Sequence, residues 1–177
     1  MSNVINDFIK EYEELHSYLV SQKQVSYASD LDRHYKKILI FSCASYFEYL
    51  ISDSIKRLSM VAPKELQEFI YKKAINRQYH TYFAWNESSV SSINPFLSLW
   101  GNDFKVRTSK KIKEDKDLSQ GAIDFIEIGR ERNIMAHENF MEYETQKTFD
   151  EVEKLFVSAE KFVRFIMQEI GNLTSNV

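Results

Sequence analysis

The stretch Thr148-Phe149-Asp150-Glu151-Val152-Glu153-Lys154-Leu155-Phe156, running on through Phe162 and Ile166 to Gly171, carries a full set of helix signals. Thr148 with Glu151 three residues on is a capping box, in which each side chain accepts a hydrogen bond from the other residue's backbone N–H. Phe149, Val152, Leu155, Phe156, Phe162 and Ile166 recur at helical spacing and give one apolar face behind the cap. Gly171 is placed to close the helix, and a short polar tail follows. A helix of this kind must bury its face against other elements, so the nature of the rest of the chain decides the fold.

Upstream, the apolar positions again recur with a helical period, and no segment alternates with period two over a convincing length. A first helix is predicted over Val4 to Val20, with Phe8, Tyr12, Leu15 and Leu19 on one stripe. A polar break at Ser21 to Ser29 ends it, and Asp30 is the expected N-cap of a second helix from Leu31 to about Met60. That helix carries the stripe Ile38, Phe41, Ala44, Ser45, Glu48, Ile51 and Ile55. Pro63 opens a third helix, and helical pattern returns at Gln120 to Phe140. Residues 79–118 are the least regular part. The aromatic cluster Tyr79, Tyr82, Phe83 and Trp85 is followed by Asn-Glu-Ser-Ser-Val-Ser-Ser and Pro95, which predicts short helices and loops. The whole reads as a single all-α domain over residues 1–177, an up-and-down helical bundle with one irregular insertion.

Composition removes several function classes. The 177 residues include only 4 Gly and 2 Pro, and neither Gly-x-Gly-x-x-Gly nor a Gly-Lys-Ser/Thr loop occurs, which argues against Rossmann and P-loop chemistry. Apolar residues at 44% and charged residues at 28% match a globular protein rather than a disordered one. Cys43 is the single cysteine, so an intramolecular disulfide and a cysteine-based zinc site are excluded, and a reducing cytoplasm is the expected location. The N-terminus lacks a basic region followed by an apolar stretch, so no secretory signal is read there. The most apolar run, Ile38 to Ile51, is interrupted by Ser42, Ser45 and Glu48; it is too short to span a bilayer and reads as a buried helix.

The net charge of −3 conceals an uneven distribution. Residues 61–120 hold ten basic and seven acidic groups, while residues 121–177 hold six and eleven. Most of the basic excess sits in Lys105, Arg107, Lys110, Lys111, Lys113 and Lys116. A solvated lysine loop is the commoner origin of such a run, and contact with phosphates is the functional alternative.

Of the four histidines, His16 and His34 lie on amphipathic helices with no second ligand at metal-binding spacing and read as surface residues. His80 falls in the aromatic cluster, where it either stacks on a base or packs against Tyr79 and Tyr82. His137 ends the run Gly129-Arg130-Glu131-Arg132-Asn133-Ile134-Met135-Ala136-His137. At 100° per residue Arg132 and His137 are roughly 140° apart around a helix and about 7.5 Å apart along it. Arg130, Asn133 and His137 share one polar stripe. Arg132 points with Phe125, Ile128, Met135 and Ala136, and an arginine on an apolar face needs a carboxylate, an edge to reach, or a ligand.

The run Arg132-Asn133-Ile134-Met135-Ala136-His137 resembles the Arg-x(4 to 6)-His signature of the HEPN superfamily, in the Arg-Asn-x-x-Ala-His form found in prokaryotic ribonuclease-like branches including the RiboL-PSP type. The earlier helix with Tyr46-Phe47-Glu48 and the capped final helix are similar to those branches too. The resemblance implies a four-helix core that forms a homodimer with two motifs facing each other across a two-fold axis. It implies a metal-independent, cofactor-free endoribonuclease acting in a toxin–antitoxin or phage-defence setting and leaving a 2′,3′-cyclic phosphate, or else a silent relative that binds only RNA or nucleotide. An antitoxin of nucleotidyltransferase type is an implied partner, and RNA is the implied substrate. On that reading His137 is the acid/base, Arg132 the phosphate clamp and Asn133 the orienting group, with Arg130 a rival or helper to Arg132 because Arg130-x(6)-His137 also fits the spacing. Glu48, if buried, needs a positive partner such as Arg132 or the histidine. The insertion offers Trp85 and tyrosines for base stacking or for the core, and Lys105, Arg107, Lys110, Lys111 and Lys113 for the RNA backbone.

Overall fold

The computed structural model describes residues 2–173, and among them there is no strand. Seven α-helices follow one another: α1 (Ser2–Ser21), α2 (Val25–Ser59), α3 (Lys64–Ile70), α4 (Asn94–Ser98), α5 (Asn102–Glu114), α6 (Lys116–His137) and α7 (Phe149–Gly171). A π-helical turn, Tyr71–Ile75, extends α3, and 3-10 turns occupy Tyr79–Thr81 and Val90–Ile93. The all-α expectation holds. The long helices α1, α2, α6 and α7 form the bundle, with α6 against α7 as the most extensive pairing and α2 packed on α7, α1 and α6.

The capping box starts α7 as written. Glu151 N donates to Thr148 Oγ1 at 3.2 Å and Thr148 N donates to Glu151 Oε2 at 2.8 Å. Behind it Phe149, Val152, Phe156, Ala159, Phe162, Val163, Ile166 and Ile170 are buried. Phe156 stacks with Phe47 of α2 at 5.8 Å between centroids, and Phe149 stacks with Tyr12 of α1 at 3.6 Å, so α7 binds both early helices through rings. Against α6 the approach is closer still. A Cβ on Gly121 would sit 2.5 Å from Ser158 O and 3.0 Å from Phe162 Cβ, so only a glycine lets the two helices touch there.

Three boundaries differ from the sequence expectation. The second helix starts at Val25 rather than Leu31, and Asp30 lies inside it, accepting from Arg33 at 3.0 Å instead of capping. Ala28 is buried against the bundle, and that packing draws a polar turn into the helix against its local preference. The connection from α1 shrinks to Gln22–Gln24, with Lys23 at φ 57° making the turn. The basic run is the helix α5 rather than a loop, with Phe104, Thr108 and Ile112 buried along one side and the lysines on the other. Finally, the penultimate helix begins at Lys116, where the Asp115 side chain accepts from Leu118 N at 3.0 Å, and it stops at His137 rather than Phe140.

The insertion aromatics belong largely to the core. Tyr82 and Phe83 are buried, and Phe83 packs edge-on to Phe125 of α6 at 4.9 Å. Trp85 lies across Gly129, whose missing side chain makes room for the indole. One helix, α2, is long and apolar enough by length and composition to cross a membrane, whereas the apolar run read in isolation was too short; 44% of its apolar window is buried within the bundle.

Candidate active site

The last two turns of α6 carry the motif residues, and the helix divides them between two adjoining depressions. An open groove of about 660 Å³ is lined by Arg130, Asn133 and His137 together with Trp85, Asn86 and Glu138. Arg132 lies around the helix in a narrow cleft with Glu48, Tyr79, His80 and Trp85. Asn133 and Trp85 border both. This is the separation that helix geometry demands of residues five apart, so within one chain Arg132 and His137 do not face the same groove.

Asn133 links the two. Its Oδ1 accepts from Arg132 Nη1 at 3.1 Å while its residue borders the His137 groove. Arg132 also reaches Glu48 Oε2 of α2 at 3.7 Å, with the two side chains 37% and 42% exposed. Glu48 therefore has the arginine as its partner, at a half-solvated site where such a pair contributes little stability. The His137 side chain is exposed at the helix end and makes no hydrogen bond or ion pair with any described residue. Burial pushes the Tyr79 phenol well above its ordinary value and Glu48 adds to this, while Arg132 opposes it, so Tyr79 stays a neutral hydroxyl in the cleft.

Arg130 is held differently. Its Nη2 bonds Glu127 Oε1 at 2.9 Å, and Lys147 from the loop after α6 reaches the same oxygen at 2.8 Å. Ser88 of the insertion donates to Glu127 Oε2. Burial raises the Glu127 carboxyl, but the hydrogen bonds from Lys147 and Ser88 and the charges of Lys147 and Arg130 outweigh it, and the net shift is downward. A carboxyl depressed in the folded state adds stability that is complete above its unfolded value and is lost as pH falls through the folded one. Glu127→Gln is accordingly expected to lower Tm most at neutral pH, with the gap to the parent protein closing as the pH drops below 4.5; thermal melts of both proteins from pH 7 to pH 3 measure it. A gap independent of pH would contradict this assignment.

The loop that leaves His137 is anchored by residues that the motif does not announce. Lys37 of α2 is fully buried, and its Nζ donates to Phe140 O at 2.9 Å and Tyr143 O at 3.0 Å, with Met141 O at 3.5 Å. The Phe140 ring lies 5.0 Å from the same nitrogen. Tyr143 Oη donates to Glu131 Oε2 at 2.8 Å, tying the loop back to α6. No sequence signal separates Lys37 from an ordinary surface lysine. Trp85, Asn86 and Tyr79 also escape sequence reading as neighbours of the motif, because a connection of about thirty residues or more lies between them and α6.

The basic residues of α5 line neither depression. Lys111 is paired with Glu169 at 2.8 Å and Lys110 with Glu114 at 3.8 Å, Arg107 lies over the Phe104 ring at 5.1 Å, and Lys105 and Lys113 make no ion pair with a described residue. Lys113 adjoins the start of α6, and a helix of that length spans about 33 Å, so this end of α5 is remote from His137. His80 is exposed beside the Arg132 cleft, and its carbonyl accepts from Trp85 Nε1 at 2.9 Å. His16 stacks on Tyr12 at 5.5 Å. Among the described residues no group of three or more His, Cys, Asp or Glu is arranged to hold a metal ion. Cys43 is fully buried in α2, and burial pushes its thiol far above the usual range, so it is an inert core residue.

Among curated proteins and among solved structures nothing matches the chain. The sequence profile of one family, described as RiboL-PSP-HEPN, matches residues 6–172, a span that takes in α2, α6, α7, most of α1 and the whole motif. On that match and this fold, the chain belongs to the RiboL-PSP-HEPN family.

Proposed function

We propose that the protein is a metal-independent endoribonuclease of the cytoplasm, working as a homodimer and restrained by an antitoxin partner such as a nucleotidyltransferase-like protein. The observation that carries the reading is the end of α6, where an exposed, unpartnered His137 shares an open groove with Asn133, which in turn holds the Arg132 guanidinium. Histidine titrates near neutrality and can take the proton of a ribose 2′-hydroxyl. The 2′-oxygen attacks the adjacent phosphorus, the bond to the 5′-oxygen breaks, and that oxygen leaves with a proton from an acid. With one histidine per groove, His137 of a second copy supplies the acid. The charge gathering on phosphorus is met by the planar fork of an arginine.

Arg132 suits the clamp better than Arg130. Its contact with Glu48 is long and half-solvated, so it turns to a phosphate at little cost, whereas Arg130 is committed to a mostly buried Glu127. Lys105 and Lys113, unpaired on α5, can add affinity for the RNA backbone at a distance from the cut.

The test is cleavage of a labelled RNA in excess EDTA with analysis of the new ends. A 2′,3′-cyclic phosphate and a 5′-hydroxyl are expected; cleavage that stops on chelation, or that leaves only 5′-phosphates, overturns the mechanism. A second reading, a catalytically inactive dimer that binds RNA or nucleotide or acts as an interaction module, draws on the acidic surroundings of the motif, which oppose a tight grip on RNA there: residues 121–177 hold eleven acidic groups against six basic. Retention of RNA on the protein with no product over long incubation would select it.

A further inference from the structure

On the other side of the insertion lies a cavity of about 600 Å³ that shares no lining residue with the motif grooves. It is walled by the end of α2, the π-helical turn after α3, and the segment from Thr81 to Trp100. Leu58, Ile70, Phe96 and Leu99 make its surface mainly apolar. Its volume is that of small-molecule sites, which combine apolar walls with a few placed polar groups.

Beside the neutral Ser59, Gln78 and Thr81, the lining holds one charged group. Lys73 is the sole charged residue on the lining, and it makes no ion pair with a described residue. Four buried side-chain polar atoms lack a hydrogen-bond partner among the described residues, and two of them, Tyr82 Oη and Trp100 Nε1, belong to residues of this wall. Both atoms are buried within the wall, behind the cavity surface. Lys73 and Ala74 reach the cavity from the π-helical turn Tyr71–Ile75, a distortion that often marks functional positions.

We propose that this cavity binds a small amphiphilic carboxylate, its apolar body between Leu58, Phe96 and Leu99 and its head paired with Lys73. The absence of any acidic lining residue excludes cationic ligands, and the apolar walls disfavour multiply charged ones. Octanoate is the probe and octanol its neutral counterpart, titrated calorimetrically into the full chain without RNA. Octanoate is expected to bind one to one, raise Tm and exceed octanol by about tenfold in affinity. Lys73→Gln should erase that preference, and Leu99→Glu, a change at an exposed position that adds an opposing charge, should weaken octanoate by at least a similar factor while sparing octanol more. Equal affinities for the two probes, no saturable binding, or octanoate binding unchanged in both variants overturns the proposal.

Discussion

His137→Ala is expected to lower RNA cleavage by about 10²–10⁴-fold, the range over which a positioned acid or base accelerates proton transfer. Because His137 is exposed and unpartnered, its removal should leave the melting curve unchanged, so lost activity reports lost chemistry. Arg132→Ala should cost roughly 10²–10³-fold, as for removal of a donor to a developing negative charge, and Arg132→Lys should recover part of it because an ammonium has charge without the fork. Arg130→Ala should lower activity less and Tm more, since it strips a hydrogen bond from Glu127. Single-turnover cleavage at saturating protein, run beside thermal melts, separates the four variants. Full activity in His137→Ala sinks the nuclease mechanism, and a larger loss in Arg130→Ala than in Arg132→Ala transfers the clamp to Arg130.

The largest effect on stability is expected at Lys37. An ammonium with no exposure to water is tolerable only when its charge is solvated by the protein, and here carbonyls of the α6–α7 loop do so. Lys37→Met keeps the volume but leaves those carbonyls buried without their donor. Relief of the lysine's own desolvation offsets part of the loss, and the net cost should be about 3 kcal/mol, a fall in Tm of roughly 6–12 °C. The damage should be local as well as global. Glu142 and Tyr143 donate their N–H groups to Asn139 O at 2.9 Å within the loop, and these amides should exchange faster in the variant under conditions where it is folded. Chemical denaturation and hydrogen exchange measure the two effects. A loss below 1 kcal/mol, with loop protection intact, would mean that Lys37 is not the anchor of the segment that follows His137.

The buried face of α2 matches the predicted stripe only in part. Its sequence is apolar at so many neighbouring positions that two stripes fit: Ala44, Ile51 and Ile55 of the predicted one are buried, but Ile38 is 39% exposed and Ser45 is exposed, while Ile40, Cys43 and Phe47 outside it are buried. A lysine at position 37 argued against the correct stripe, because the carbonyls that compensate it come from residues more than a hundred positions away. The same holds for the first helix, where Ile5, Ile9 and Tyr12 are buried and Leu15 is 37% exposed.

Helix content, the capped start of α7, the absence of glycine-loop and cysteine chemistry, and the motif at the end of α6 were determined by the sequence alone. Each depends on residues within a few positions of one another, where periodicity, capping and residue chemistry act directly. The angular separation of Arg132 from His137 was legible too, since it follows from the helix itself. Only the tertiary structure decided which arginine is committed to a carboxylate, that Trp85 covers Gly129 and borders both depressions, and that a buried lysine holds the loop beyond His137. Those outcomes are set by contacts between segments far apart in the chain, and no local pattern of residues encodes which distant groups will share a low-dielectric interior.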